Sequence, residues 1–181
     1  MSDLLDRDAL LELLAGFARR LDARGITLEI YVVDGTAMVL AYDRDRLTHD
    51  IDATWDTSID VISEIEAIAL ERGLPRDWLN DRVRPMLPLV VDDDRLEALS
   101  LPGLRVSVAS PRHLLAMKAR AARDARDLDD IISLCQHLGI TSVDDVIAIA
   151  AEVWGDGMLR DDTVFALRTD LTERGLCSSR S

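Results

Sequence analysis

Lysine is almost missing from this chain: 20 of its 21 cationic residues are arginine, and Lys118 stands alone. Where a solvated positive charge suffices the sequence uses arginine. The position that keeps lysine is therefore a candidate for a site needing a compact ammonium rather than a planar guanidinium, the alternative being an ordinary surface helix residue. Cysteine is scarce too. Cys135 falls in an apparent helix and Cys177 in a polar tail, which excludes a disulfide framework and a cysteine-based zinc site. Nor do His49, His113 and His137 have metal-ligand spacing. Basic charge is lacking overall: the formal net charge of −13 excludes a general nucleic-acid binder, so any such contact must be local. No apolar run approaches the roughly 20 residues of a membrane span. The residues after Met1 are acidic where a secretory leader would be basic, so a cytoplasmic chain with no membrane partner is expected.

What is present suits one domain, or one small domain with an appended helical half, since 181 residues suffice to bury a core. Apolar residues at helical spacing from Leu4 to Leu21, with Asp6 as N-cap and Gly25 past the end, predict an opening amphipathic helix. Ile26 to Val33 reads as a strand, Ala37 to Tyr42 as a helix or turn, and Asp50 to Trp55 as a second strand. A helix from Ser58 to Arg72 ends at Gly73 and Pro75. Residues 76–103 carry turn signals around short extended pieces. Leu104 to Val108 alternates as a strand, and Ser110-Pro111 supplies an N-cap followed by proline at the first helical position. From there to Arg174 the pattern is nearly all helical, with Thr141 opening a capping-box candidate. The expected fold is α+β (α/β): a small mixed sheet flanked by helices over residues 1–110, a helical part packed on it over 111–176, and a polar tail at 177–181.

The chemistry concentrates in Asp34-Gly35-Thr36 and, after thirteen intervening residues, Asp50-Ile51-Asp52. On a strand, residues i and i+2 project to the same face, so the two carboxylates point together while Ile51 turns to the core. Such a pair repels itself and is relieved by a divalent cation; magnesium prefers hard oxygen ligands and completes its shell with substrate phosphates. Taken alone in an acidic chain, the pair is more often a solvated strand edge, and the turn before it shifts the balance. A glycine lets backbone approach a phosphate, and the Thr36 hydroxyl adds a donor; the bland alternative is a plain turn. Arg44 and Arg46 precede the pair and could steady a triphosphate or merely neutralise a carboxylate-rich edge, the latter reading suiting Arg44 better than Arg46. Arg112, Arg120, Arg123 and Arg126 fall within about one third of a helical wheel, a stripe suited either to an RNA backbone or to acids of the same chain. Trp78 reads as core.

These motifs, together with the segments Gly73 to Asp81, Leu114 to Arg123 and Asp127 to Ile131, resemble the polymerase-β-like nucleotidyltransferases, and within them the AbiEii and MenT group of toxin-antitoxin enzymes. Thr36 stands where that group more often has glycine or serine. The resemblance implies that Asp50 and Asp52 hold Mg²⁺, with Mn²⁺ as the alternative. It implies that Gly35, Thr36, Arg46 and Lys118 bind the nucleotide, that Asp127 of the Asp127/Asp130 pair lies near the site, and that Thr36 is a regulatory phosphorylation candidate. The implied reaction is transfer of a pyrimidine nucleotide from CTP or UTP to the 3′ end of tRNA, restrained by a cognate antitoxin, with Arg112, Arg120 and Arg123 as RNA contacts. An aminoglycoside-type small-molecule transferase and a non-catalytic nucleotide- or partner-binding module are the other readings.

Overall fold

The computed structural model describes residues 4–42, 45–122, 125–155 and 157–176. The chain divides into two compact units. The first holds Met1–Met86 and Arg95–Ala109; the second holds Leu87–Asp94 and Ser110–Ser181. Residues 87–94, expected with the N-terminal part, thus group with the C-terminal helices.

The first unit is built on a five-stranded mixed sheet of order β3-β2-β1-β5-β4. Its strands are β1 (Leu28–Val32), β2 (Ile51–Trp55), β3 (Leu79–Asn80), β4 (Leu96–Leu101) and β5 (Leu104–Val108). β1 runs antiparallel to β2 and parallel to β5, β3 is parallel to β2, and β4 is antiparallel to β5. The alternation read from the sequence sorts the central strands into two faces. Leu28, Ile30, Val32, Ile51, Ala53, Trp55, Leu104, Val106 and Val108 are all buried, and the register aligns Ile30 with Trp55 and with Val106. Helix α1 (Arg7–Ala23) packs on β5 and on α3 (Ile62–Arg72). It buries Leu10, Leu14, Phe17 and Leu21 completely, and each such side chain contributes about 1.5–3 kcal/mol. The opposite face, carrying Tyr31, Asp52, Thr54 and Ser107, stays half-open.

Local signals explain the boundaries. The Asp6 side chain caps α1 by accepting from Ala9 N–H at 2.8 Å, and Gly25 follows with φ 68°. Helix α3 begins at Ile62, later than the Ser58 expected, because the Asp56 and Asp60 carboxylates accept from Ser58 and Ile62 N–H and hold the intervening residues in turns. Residues 34–42 form a helical α2 (Asp34–Ala37) continued by a π-helical turn (Met38–Tyr42). Gly103 has a different duty. It turns β4 into β5 with φ +84°, and a Cβ there would stand 2.6 Å from Ala18 O and Asp22 N of α1. Gly103→Ala is expected to cost about 1–3 kcal/mol from overpacking alone, measured as a lowered urea midpoint with unchanged slope.

The second unit is helical: α4 (Pro111–Ala121), α5 (Ala125–Leu138), α6 (Val143–Trp154) and α7 (Asp161–Glu173), with α4 packed on both α5 and α6. Ser110 caps α4 with Pro111 at its first position. The cap of α6 is Ser142 rather than Thr141, its hydroxyl accepting from Asp144 N–H at 3.1 Å. The 87–94 segment is latched to the start of α4 by Asp92, whose carboxylate accepts from Ser110 N–H at 2.8 Å and lies 3.2 Å from His113 Nδ1. Among the described residues no helix is long and apolar enough to cross a membrane.

Candidate active site

Asp52 lies on β2 between buried Ile51 and Ala53, so its carboxylate projects from the half-open face. Asp50 immediately precedes the strand, and the backbone between the two is clamped from both sides. Val33 N–H donates to Asp52 O at 3.0 Å, and Ile51 N–H donates to Trp78 O at 2.7 Å. The turn after β1 adds a second clamp. The Thr36 hydroxyl donates to Asp50 O at 2.6 Å and the Thr48 hydroxyl to the same oxygen at 3.2 Å. A Cβ on Gly35 would stand 3.0 Å from Thr48 Oγ1. The glycine and hydroxyl expected to cradle a phosphate therefore serve the fold first, since Gly35 makes room for Thr48 and both threonines fix Asp50. Thr36 is only 1% exposed, so a modifying enzyme would reach its hydroxyl only after that bond opens.

Two residues to which sequence reasoning gave no role complete the arrangement. Asn80 is paired with Asp52 in the β2–β3 register and is buried. Its amide nitrogen donates to Asp50 Oδ2 and to Asp77 O, each at 3.3 Å, and its oxygen accepts from Arg82 N–H and Nε–H. The Arg82 guanidinium lies 3.2 Å from Asp50 Oδ2 and 3.2 Å from Asp77 Oδ2. Trp78 anchors this segment: it is fully buried, donates to Ile65 O at 2.9 Å and meets Phe17 edge-on. Burial, then the charge of Asp50, then that of Asp34, push the Asp52 carboxyl above its ordinary value of 3.8, with Asn80 and Arg82 opposing. Asp34 is thus a third acid close to the pair. Its backbone holds φ 54°, a left-handed conformation that aspartate tolerates better than most residues. Its placement directly before Gly35 was the available signal.

The model of a family described as a nucleotidyltransferase of unknown function, DUF6036, matches residues 8–160. The chain belongs to this family. No curated protein and no solved structure matches it. Nucleotide transfer is thus the family's chemistry at the coarse level. The matched span includes Gly35, Asp50, Asp52, Asn80, Arg82 and Lys118.

In the second unit of this DUF6036 protein, Lys118 is 4% exposed, and its ammonium lies 3.0 Å from Asp127 Oδ1 and 2.9 Å from Asp130 Oδ2. All three groups are buried, with two carboxylates facing one ammonium. The lysine read as a point charge for phosphate is thereby engaged within its own unit, and Asp130, given less weight than Asp127, is an equal partner. The arginine stripe expected along one helix is broken, because α4 ends at Ala121 and Arg126 belongs to α5. Arg112 pairs with Glu152, and the Arg120 guanidinium stacks 4.1 Å over the Trp154 ring. Arg46 lies half-buried between the π-helical turn and Thr48. Arg44 and Arg123 fall outside the described residues, as does Cys177. Burial pushes the Cys135 thiol up to about 11, which leaves it unreactive. A groove between α1 and α3, lined by Glu12, Arg19, Arg20, Glu71 and Arg72, touches none of the site carboxylates, and Arg20 and Arg72 are paired there with Glu71 and Glu12.

Among the described residues no group of three or more His, Cys, Asp or Glu is arranged to hold a metal. Asp50 and Asp52 offer two carboxylates. That suits magnesium, which takes one or two carboxylates from a protein and fills its octahedron with water and phosphate oxygens.

Proposed function

We propose that this family member is a magnesium-dependent nucleotidyltransferase, with Asp50 and Asp52 holding the cation and a nucleoside triphosphate as donor. The observation that carries this reading is the closeness of the two carboxylates: the Gly35-Thr36 turn fixes the Asp50 backbone, and Asp52 on the half-open face is raised in pKa by burial first and by the charge of Asp50 next. The donor set fits a hard divalent cation, magnesium or manganese. Bound there, that cation supplies neutralisation of charge at the phosphate oxygens during in-line displacement at the α-phosphorus. The chain's own contribution is orientation: Thr36 and Thr48 hold the Asp50 backbone, Asn80 holds its carboxylate, and β2 presents Asp52 beside it. Arg46 is the arginine nearest in sequence to the pair among the described residues and is assigned to the triphosphate.

For the acceptor, the AbiEii/MenT resemblance favours the 3′ end of tRNA, a pyrimidine nucleotide as the transferred group, a toxin role and a cognate antitoxin partner. One observation favours a cationic small molecule of the aminoglycoside kind instead: the chain carries −13 net charge, and Arg112 and Arg120 are engaged with Glu152 and Trp154 rather than presented together. Incubation of purified protein with labelled CTP or UTP, Mg²⁺ and either bulk tRNA or an aminoglycoside separates the two by which acceptor takes the label.

A melting curve tests the shared premise. With Mg²⁺ and a non-hydrolysable triphosphate at about a hundred times Kd, the expected stabilisation is about 2.7 kcal/mol. It should vanish when the metal is chelated. Equal stabilisation with and without Mg²⁺, or none in either case, removes the metal from the reading.

A further inference from the structure

Asp50 already has a cationic neighbour. The Arg82 guanidinium and the Asn80 amide converge on Oδ2 of Asp50, at 3.2 and 3.3 Å, while the Arg82 Nε–H and backbone N–H are both held by Asn80 Oδ1. The two partners differ in freedom. Asn80 is 7% exposed and sits in the β2–β3 pairing, so it stays. The Arg82 side chain is 64% exposed and has a second carboxylate, Asp77 at 3.2 Å, on which its charge can rest. Exposed ion pairs hold weakly and exchange readily.

We infer that Arg82 is the resident counter-ion of Asp50: its guanidinium occupies the carboxylate that a divalent cation uses, and yields it when the cation binds. The inference rests on the metal reading of Asp50 and Asp52 proposed above and adds a regulation to it. The acidic pair is partly neutralised before the cation arrives, and cation affinity is set by a competition between guanidinium and metal. Asn80, which contacts both Arg82 and Asp50, keeps the carboxylate oriented through the exchange. No bond is made or broken in this step; one electrostatic partner replaces another.

Calorimetric titration of the full chain with Mn²⁺ tests it, using wild type, Arg82→Gln, Arg84→Gln and Asp50→Asn, each checked for native circular dichroism. Removing the competitor is expected to tighten Mn²⁺ binding about two- to fivefold in Arg82→Gln, the range a single exposed ion pair supports. Arg84 bonds to Asp81 and to Trp55 O. Arg84→Gln makes the same charge change without touching Asp50, and a smaller gain there supports a local exchange. Binding by Arg82→Gln that is unchanged or weaker overturns the inference, as does an equal gain in Arg84→Gln, which would make the effect one of general charge. A misfolded variant binds more weakly, so damage cannot imitate the expected sign. If wild type binds Mn²⁺ and Asp50→Asn abolishes it while Arg82→Gln brings no gain, the Arg82 exchange alone falls. If wild type shows no Asp50-dependent binding, the metal reading falls and takes the exchange with it.

Discussion

Replacing Asp52 with asparagine is expected to lower nucleotide transfer by at least about a hundredfold while making the metal-free protein slightly more stable. On the metal reading proposed above, activity falls because the cation loses one of its two carboxylates. Stability rises because the folded protein makes ionisation of Asp52 unfavourable, through burial first and then through Asp50 and Asp34. The folded state binds this proton more tightly than the unfolded state, so the penalty is absent at pH well below 3.8 and grows as pH rises through the raised folded value. It is larger at neutral pH than in acid, and asparagine removes it. Solvent screening keeps the gain small, so it reads as a modest rise in Tm. Thermal melts of both proteins in chelator from pH 3.5 to 7.5 should diverge as pH rises. Curves that stay parallel, or a less stable variant at neutral pH, would remove the electrostatic account of the site.

Lys118→Ala is the substitution expected to damage the fold most. It takes the ammonium from the buried carboxylates of Asp127 and Asp130, and removing one member of a buried ion pair costs about 3–5 kcal/mol. Lys118→Met combined with Asp127→Asn and Asp130→Asn removes these three charges together and should recover part of that loss, since the cost lies in uncompensated charge rather than in missing volume. Urea unfolding followed at 222 nm measures both. A Lys118→Ala protein as stable as wild type but inactive would instead assign the lysine to substrate. The geometry also bears on the lone lysine: its compact ammonium sits within 3.0 Å of two carboxylates on the next helix.

The strands that place the carboxylates were legible because β1, β2 and β5 alternate cleanly and each buries one face. The Ser110-Pro111 start of α4 was equally plain, since cap chemistry is local. β3 was not legible, because two residues show no period, and Asn80 and Arg82 went unassigned with it. β4 was obscured by its irregularity: it lies at the sheet edge, leaves most of its side chains at least partly exposed and shifts register between Glu97 and Leu99. Asp50 and Asp52 could be nominated from their same-face spacing taken together with the Gly35-Thr36 turn before them. The inward turn of Thr36 could not, because its acceptor lies fourteen residues away and is brought to it only by the fold. The burial of Lys118 was hidden for a like reason, since its two partners come from another helix.

The three tryptophans are distributed unequally. Trp55 and Trp78 belong to the sheet unit, whereas Trp154 belongs to the helical one with a guanidinium against its ring. The molecule thus carries separate optical reporters for its halves. The tryptophan emission of a Trp154→Phe protein comes from the half that bears the acidic pair, and that of a Trp55→Phe/Trp78→Phe protein from the half that bears the buried lysine. Denaturation followed in each would reveal whether the halves melt in one step or in sequence.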